Sequence, residues 1–291
     1  MKAIEFPQQK ELKAVIKEHI KTAAICCFGK LKTTYSSNHT FYPDNGIQKR
    51  HTHLYLLVFV EENIENATND ICDKIKTITD GRITATLLIH QVKSLKKICD
   101  DQQYFFWRIM QNGELLYKNA VKPPYLITDA TPKRNLKLTS LYVARRKTTI
   151  STIWSWVYND EDACSSIEVK MSALHQIVEQ SCLSLIRVFM GYTPNHFSLG
   201  HLFNLCEYFS TITADFFPRK SKEDLAMFNL LKRQPSTLRF SKTDEVDYLY
   251  YQLLEERCRK FIDLADVLIQ EEVDRLKQIE SKENRIIENK E

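Results

Sequence analysis

Histidine, arginine and glutamate residues that could bind or act on a phosphate are concentrated between residues 175 and 201. His175 and Glu179 are four residues apart, Arg187 follows eight residues later, and His196 and His201 come after a Gly-Tyr-Thr-Pro segment. A guanidinium can stabilise phosphate charge, and an imidazole can transfer protons near neutral pH. These five residues are therefore the candidate nucleotide- or RNA-binding residues.

The same spacing also permits interpretations without a ligand. Because residues four apart lie on one face of a helix, Glu179 could orient His175, but His175 could equally be a hydrogen-bonded histidine between packed helices. Arg187, His196 and His201 fit either a phosphate site at one end of a helical bundle or a solvated helix end. The sequence leaves both interpretations open.

The charge distribution points to a local rather than a general polyanion site. A formal net charge of +4 is too small to indicate nucleic-acid binding over the whole surface. Residues 131–159 nevertheless contain several basic residues and no acidic residue, which indicates either a polyanion site or a solvated linker and helix face. The basic residues of this segment are Lys133, Arg134, Lys137, Arg145, Arg146 and Lys147.

A second place where the spacing could support chemistry is the pair His51 and His53. The two residues are two apart on a predicted strand, so both side chains point to the same side. They could share a transition metal, or they could form the polar entrance to the strand. No Cys or His partner stands at metal-binding spacing, so we expect no metal and no other cofactor.

The eight cysteines include no Cys-x-x-Cys pair, which favours reduced, mostly buried thiols.

The hydrophobic periodicity of residues 1–120 predicts an α/β domain with a small mixed sheet. The long polar segment between residues 30 and 50, with Pro43, Asn45 and Gly46, is predicted to be a loop. Strands are predicted at residues 22–28, 53–60, 83–90 and near 112–117, and helices at residues 4–20, 64–78 and 94–110.

Beyond residue 120 the strand pattern stops. Residues 121–136 contain three prolines and form the predicted linker. Residues 137–278 are predicted to form an up-and-down helical bundle, and residues 279–291 a charged tail that frays. The helices of the bundle are predicted at residues 138–158, 166–190, 199–214, 222–233 and 244–277.

The first domain resembles the minimal nucleotidyltransferase family. In that family one strand ends in Phe-Gly-Ser and the next carries Asp-x-Asp, and the matching segments here are Cys-Cys-Phe-Gly-Lys and His-Leu-Tyr-Leu-Leu-Val. Gly29 is kept, but Lys30 stands in place of the serine, and His53 and Tyr55 stand in place of the two metal-binding aspartates. A tyrosine does not provide the hard oxygen ligands that magnesium needs. The resemblance therefore implies a degenerate, inactive nucleotidyltransferase-like domain.

The second domain is similar to the HEPN family over residues 173–203. The second helix of that family commonly carries His-Gln-x-x-Glu, which matches His175, Gln176 and Glu179, and the Gly-Tyr-Thr-Pro loop follows. The resemblance implies an all-α domain that often follows a nucleotidyltransferase domain and commonly dimerises. Many members are metal-independent ribonucleases with an Arg and a His separated by four to six residues. Eight residues separate Arg187 from His196, so that spacing is absent.

The leading hypothesis is a non-catalytic nucleotide- or RNA-binding regulatory protein that pairs a pseudo-nucleotidyltransferase with a HEPN domain. It would act in defence or in toxin-antitoxin-like regulation, as a homodimer formed through the HEPN bundle. One alternative is a HEPN ribonuclease with a rearranged pair drawn from Arg187, His196 and His201, and another is a dimeric protein-interaction scaffold. The sequence has no leader pattern and no stretch of membrane-spanning length, so we expect a cytoplasmic protein without membrane contact.

Overall fold

The chain folds into two compact units, Met1–Lys133 and Arg134–Glu291. The first unit contains a four-stranded mixed sheet with helices, and the second is helical throughout its described part. The mixed α/β character expected from the sequence is confirmed at this level. The computed structural model describes residues 8–39, 42–62, 67–97, 100–119, 132–158, 166–233, 236 and 248–288. Most of the predicted linker, residues 120–131, lies outside this range.

The first unit alternates helices and strands in the order that its hydrophobic periodicity predicts. The helices of this unit are α1 (Gln9–His19), α2 (Ala67–Ile78), a 3₁₀ helix (Val92–Lys97) and α3 (Asp100–Asn112). The strands are β1 (Thr22–His39), β2 (Tyr42–Val60), β3 (Ile83–Gln91) and β4 (Glu114–Lys118). The strand order in the sheet is β3-β2-β1-β4, with β2 parallel to β3 and the other two pairs antiparallel.

The segment between residues 30 and 50, predicted to be a loop, is instead a β-hairpin. The backbone of β1 pairs with that of β2 from Thr22 opposite Val60 to His39 opposite Tyr42. The loop prediction was therefore wrong for the described residues. Threonines and a tyrosine favour extended backbone, and antiparallel pairing satisfies the amide groups that a loop would leave to water. The proline and glycine that suggested a loop lie in a two-stranded part, where a missing donor or side chain is tolerated.

The main core of the first unit lies on the face of the sheet covered by α1 and α2. The even-numbered residues of β2 from Leu54 to Val60 point to this face and are fully or almost fully buried. Leu12 and Ile16 of α1 and Ile71 and Ile75 of α2 pack on the same cluster. The opposite face, lined by the odd-numbered residues of β2, is covered by Phe105 and Phe106 of α3 only in part.

The second unit is a bundle built around one buried helix. Its helices are α4 (Leu136–Tyr158), α5 (Ile167–Met190), α6 (Leu199–Cys206), α7 (Ile212–Phe216), α8 (Lys222–Leu231) and α9 (Tyr248–Glu288). Helix α5 is capped at its N-terminus by Ser166, whose hydroxyl accepts a bond from the Val169 amide, and at its C-terminus by Gly191, which has a φ of 69°. Because α5 packs against α4, α6, α8 and α9, it is apolar on most sides.

Two helices of the bundle differ most clearly from their predicted limits. The helix predicted for residues 199–214 is broken into α6 and α7, because the hydroxyls of Ser210 and Thr211 bond to nearby groups in the intervening turn. The residues predicted to form a charged tail continue α9 as far as Glu288, while residues 289–291 lie outside the described range. Ion pairs three and four residues apart, such as Arg275 with Glu272, support this exposed helix.

Among the helices that the structure describes, none combines the length and the apolar character needed to cross a membrane.

Candidate functional site

Five side chains form a hydrogen-bonded row across three strands on the face of the sheet that α3 partly covers. The His51 Nδ1 lies 3.3 Å from the Thr33 hydroxyl and its Nε2 lies 2.9 Å from that of Thr84. The Thr84 hydroxyl is also 2.7 Å from the His53 Nδ1, and the His53 Nε2 is 2.8 Å from the Thr86 hydroxyl. Each imidazole nitrogen therefore faces a hydroxyl that can donate or accept. Burial lowers the pKa of His51, and Lys76 lowers it further.

The residues predicted to form a degenerate nucleotidyltransferase site lie on two different faces of the sheet. Tyr55 and His53 are on the α3 face, where their rings are 4.9 Å apart. Lys30 is opposite Leu54 in the strand register, so its side chain points to the other face. A register shift between Cys27 and Gly29 places Phe28 against Tyr55, with ring centroids 5.9 Å apart. The strand alternation thus separates Lys30 from His53 and Tyr55.

Lys30 is held by a carboxylate that was not predicted. Its Nζ lies 2.5 Å from Oε2 of Glu114, the first residue of β4, and both side chains are largely buried. Glu114 lies opposite Cys27 on the α1–α2 face, and therefore faces away from His53 and Tyr55. This ion pair joins β1 to β4, and the Glu114 carboxylate is already bound to the Lys30 ammonium group.

Tyr55 is a residue of the hydrophobic core. Its side chain is 2% exposed and packs against Phe28 and His53. A residue in this environment stabilises the packing of α3 on the sheet. Within the part of the chain that the structure describes, no group of three or more His, Cys, Asp or Glu residues could hold a metal ion.

In the second unit, His175 connects two helices. Its Nδ1 donates to the Leu231 carbonyl at the end of α8 over 2.8 Å, and burial lowers its pKa. The His175 Nε2 is 3.8 Å from Oε2 of Glu179, which is too long for a hydrogen bond. Because burial also raises the pKa of Glu179, the two groups are not a strong ion pair at neutral pH. The geometry of His175 is that of a helix-capping histidine.

A cluster of two arginines and two hydroxyls lies between α4, α5 and the turn after α5. The guanidinium carbons of Arg146 and Arg187 are 4.8 and 5.7 Å from the centre of the Tyr142 ring. The Arg187 Nη1 donates to the Thr193 hydroxyl over 3.4 Å, and the Tyr142 hydroxyl lies beside Arg146 and the same threonine. We call these four residues the arginine cluster. Arg187 is only 3% exposed.

Glu179 and Gln180 of α5 border the arginine cluster. Arg146 donates to the side-chain oxygen of Gln180, and its charge counteracts the effect of burial on the pKa of Glu179. Burial raises the pKa of Tyr142, and Arg146 partly opposes this shift. The cluster therefore combines two permanent positive charges with one carboxyl whose ionisation is disfavoured.

A third arginine fixes the turn next to the cluster. The Arg134 guanidinium donates to the carbonyls of Arg187 and Val188, which lie in the last turn of α5. Gly191 follows with a positive φ, and a Cβ there would lie 3.2 Å from the Arg134 Nε. Arg134 and Gly191 therefore stabilise the end of α5, and with it the position of the Arg187 side chain.

His196 and His201 lie against each other, with ring centroids 4.9 Å apart and nearly perpendicular planes. The His196 Nε2 is 3.0 Å from the Ser198 hydroxyl. His201 is 9% exposed, its Nε2 has no hydrogen-bond partner in the described residues, and burial lowers its pKa to about 3. Both imidazoles are therefore neutral near pH 7.

The structure thus brings the five candidate residues together only in part. His175 lies near Glu179, and His196 lies near His201, while Arg187 belongs to the arginine cluster. Tyr142, Arg146 and Thr193 were not among the predicted site residues. The run of basic residues on α4 was the signal that could have identified Arg146, and Tyr142 lies four residues before it on the same helix face.

Comparison of the sequence with models of known protein families and with curated proteins finds no match.

Proposed function

We propose that the protein is a non-catalytic binding protein for a phosphorylated ligand, a nucleotide or RNA, that combines a pseudo-nucleotidyltransferase unit with a HEPN-type bundle. The observation that carries this proposal is the arginine cluster, in which Arg146 and Arg187 flank Tyr142 beside the Thr193 hydroxyl. Guanidinium groups bind phosphate oxygens through paired charge-assisted hydrogen bonds, and hydroxyls add further donors.

The absence of catalysis is supported by the environment of the residues at catalytic positions. Tyr55 is buried in an aromatic contact, and the Glu114 carboxylate faces the other side of the sheet, where it binds Lys30. In the second unit, a neutral, buried His201 is not a proton donor near pH 7. A regulatory role, in defence or in toxin-antitoxin-like control, is the biological setting that this combination of units suggests.

Isothermal titration of the full chain with ATP and with a short RNA tests the proposal. We expect Arg187→Gln and Arg146→Gln each to weaken binding at least tenfold, since a hydrogen bond to a charged group contributes about 1.5–3 kcal/mol. Arg145→Gln is the matched control, because Arg145 is the exposed neighbour of Arg146 on α4. Equal binding by Arg146→Gln and Arg145→Gln, or no binding by the wild type, would refute the proposal.

The bundle also offers a surface for a second copy of the chain. Leu249, Leu253, Leu264 and Val267 of α9 are 57, 37, 39 and 51% exposed, and their spacing places them within one narrow stripe of the helix. Two copies of α9 could pack antiparallel about a two-fold axis at the level of Cys258. Leu249 and Val267 are each nine residues from Cys258, so Leu249 would then lie against the partner subunit's Val267. We propose that the homodimer forms through this stripe.

The charges on the same stripe are self-complementary. Glu256 and Lys260 are equally distant from Cys258 and both are exposed, so each would face the opposite charge of the second copy. Sedimentation equilibrium should show a dimer for the wild type and a monomer for Val267→Glu. Asp263→Asn is a control on the same helix, and a monomeric wild type would contradict the proposal.

A further inference from the structure

The hairpin formed by β1 and β2 extends beyond the rest of the sheet. Strand β3 pairs with β2 only from Thr52 onward, and β4 pairs with β1 only between Ala24 and Cys27. Residues 33–39 and 42–51 therefore form a two-stranded ribbon without a third strand in the described part of the chain. At about 3.3 Å per residue, its seven-residue arm is about 23 Å long.

Four exposed basic side chains surround the point where this ribbon leaves the sheet. Lys32 lies opposite Thr52, and Arg50 lies opposite Thr34, which puts the two cations on the same face two rungs apart. The Thr52 amide bonds to the Arg82 carbonyl, and the amide of Gly81, the residue before Arg82, bonds to the Lys76 carbonyl, so both basic residues lie near this point. We call Lys32, Arg50, Lys76 and Arg82 the ribbon base.

The acidic residues nearest to Lys76 and Arg82 along the chain, Asp73 and Asp80, are exposed. Asp80 lies 3.5 Å from Arg82, and this contact is exposed on both sides, so it neutralises that cation weakly. Residues 30–50 contain Lys30, Lys32, Lys49 and Arg50 but only one acidic residue, Asp44. Lys30 is already paired with Glu114, and Lys32 and Arg50 are the other cations of this segment whose exposure the structure describes.

We propose that the ribbon base binds the phosphate backbone of a polynucleotide strand. Several exposed cations with exposed hydroxyls, such as that of Thr34, match a repeating phosphate better than a single small anion. This surface lies in the first unit and is distinct from the arginine cluster. A polynucleotide can therefore bind here whether or not the second unit binds a nucleotide.

The expected affinity change follows from counterion release. Each phosphate contact on a single strand contributes about 0.7 to the slope of log K against log salt, so four contacts give a slope of about −2.8. At 0.1 M salt, the loss of one contact then lowers the affinity by a factor of about 5, and the loss of two contacts lowers it by a factor of about 25. Removing two cations should reduce the slope by about 1.4.

Fluorescence anisotropy with a labelled 12-nucleotide RNA and a DNA of the same sequence tests the proposal. In an Arg187→Gln background, which removes one of the two cations of the arginine cluster, we expect Lys32→Gln/Arg50→Gln to bind about 25-fold more weakly than the parent. Lys76→Gln/Arg82→Gln should behave alike, and circular dichroism should show that both variants are folded. RNA and DNA should bind within tenfold of each other, since the contacts are to phosphates.

The matched control removes two cations from the opposite end of the sheet. Lys21 precedes β1, and Lys118 lies opposite Ala24 near the start of that strand, and both are exposed. Lys21→Gln/Lys118→Gln should leave the affinity and the salt slope unchanged. An equal loss in this variant, no binding of either oligonucleotide, or a preference for RNA greater than tenfold would overturn the proposal. A wild type that binds the oligonucleotides but does not bind ATP would count against the arginine cluster as a binding site and not against the ribbon base.

Discussion

The buried imidazole of His201 makes the second unit sensitive to acid. In the folded chain its pKa is lowered to about 3 from 6.5, because the ring is buried and lies next to His196. The unfolded chain binds a proton below pH 6.5 and the folded chain does not. The contribution of the neutral His201 to the free energy of unfolding is therefore fully present above pH 6.5, and it is lost progressively as the pH falls towards 3.

The size of this effect follows from the two pKa values. At pH 5 the unfolded state gains about 2 kcal/mol from protonation of His201, and the folded state gains almost nothing. Below pH 3 the loss approaches about 5 kcal/mol. His201→Phe removes the titrating group and keeps an aromatic ring against His196, so this variant should escape that part of the acid destabilisation.

Urea unfolding followed by far-ultraviolet circular dichroism at pH 7.5, 6 and 5 measures the difference. We expect His201→Phe to be at least as stable as the wild type at pH 7.5, since the unpaired Nε2 is removed. Between pH 7.5 and 5 the variant should lose about 2 kcal/mol less than the wild type. The same pH dependence in both proteins would refute the assignment of a buried, neutral His201.

Three further predictions can be checked by measurement. Tyr55→Asp should lower the free energy of unfolding by about 4 kcal/mol, because it replaces a core aromatic ring with a buried charge, and calorimetry should show no magnesium-dependent gain. Thr84→Val should cost about 1–3 kcal/mol in urea unfolding, because one ring nitrogen of His51 and one of His53 lose the Thr84 hydroxyl, whereas Thr34→Val on the exposed strand should cost much less. Burial raises the pKa of the Cys26 thiol to about 11, and this side chain is 3% exposed, so Cys26 should react with an aromatic disulfide reagent only when the chain unfolds, and rapid modification of Cys26 in native buffer would contradict its burial.

Strong hydrophobic periodicity made several elements predictable from the sequence. Helix α5 and strand β3 lie within one residue of their predicted limits, because an apolar helix in a bundle and a strand covered on both faces have distinctive patterns. The hairpin extension was missed because its polar residues carry no burial pattern. Its stability comes from backbone pairing with a partner strand, which composition alone does not reveal.

The candidate site was harder to predict because it depends on contacts between distant residues. The row of His51, His53 and Thr84 requires the parallel register of β2 and β3, and a one-residue slip would place the threonine on the other face. Likewise, the arginine cluster joins Arg146 to residues about 40 positions later in the sequence. The basic run on α4 was visible in the sequence, but its partners were not.

Non-catalytic ligand binding is tested most directly by recovering RNA from its complex with the protein. A labelled RNA is incubated with an equimolar amount of the full chain, with and without magnesium and ATP, and the bound RNA is analysed by mass spectrometry. The proposed function predicts that the RNA is retained by the wild type, is retained less by Arg187→Gln, and keeps its original mass. Shortened RNA, or RNA that has gained a nucleotide, would show that the protein is an enzyme.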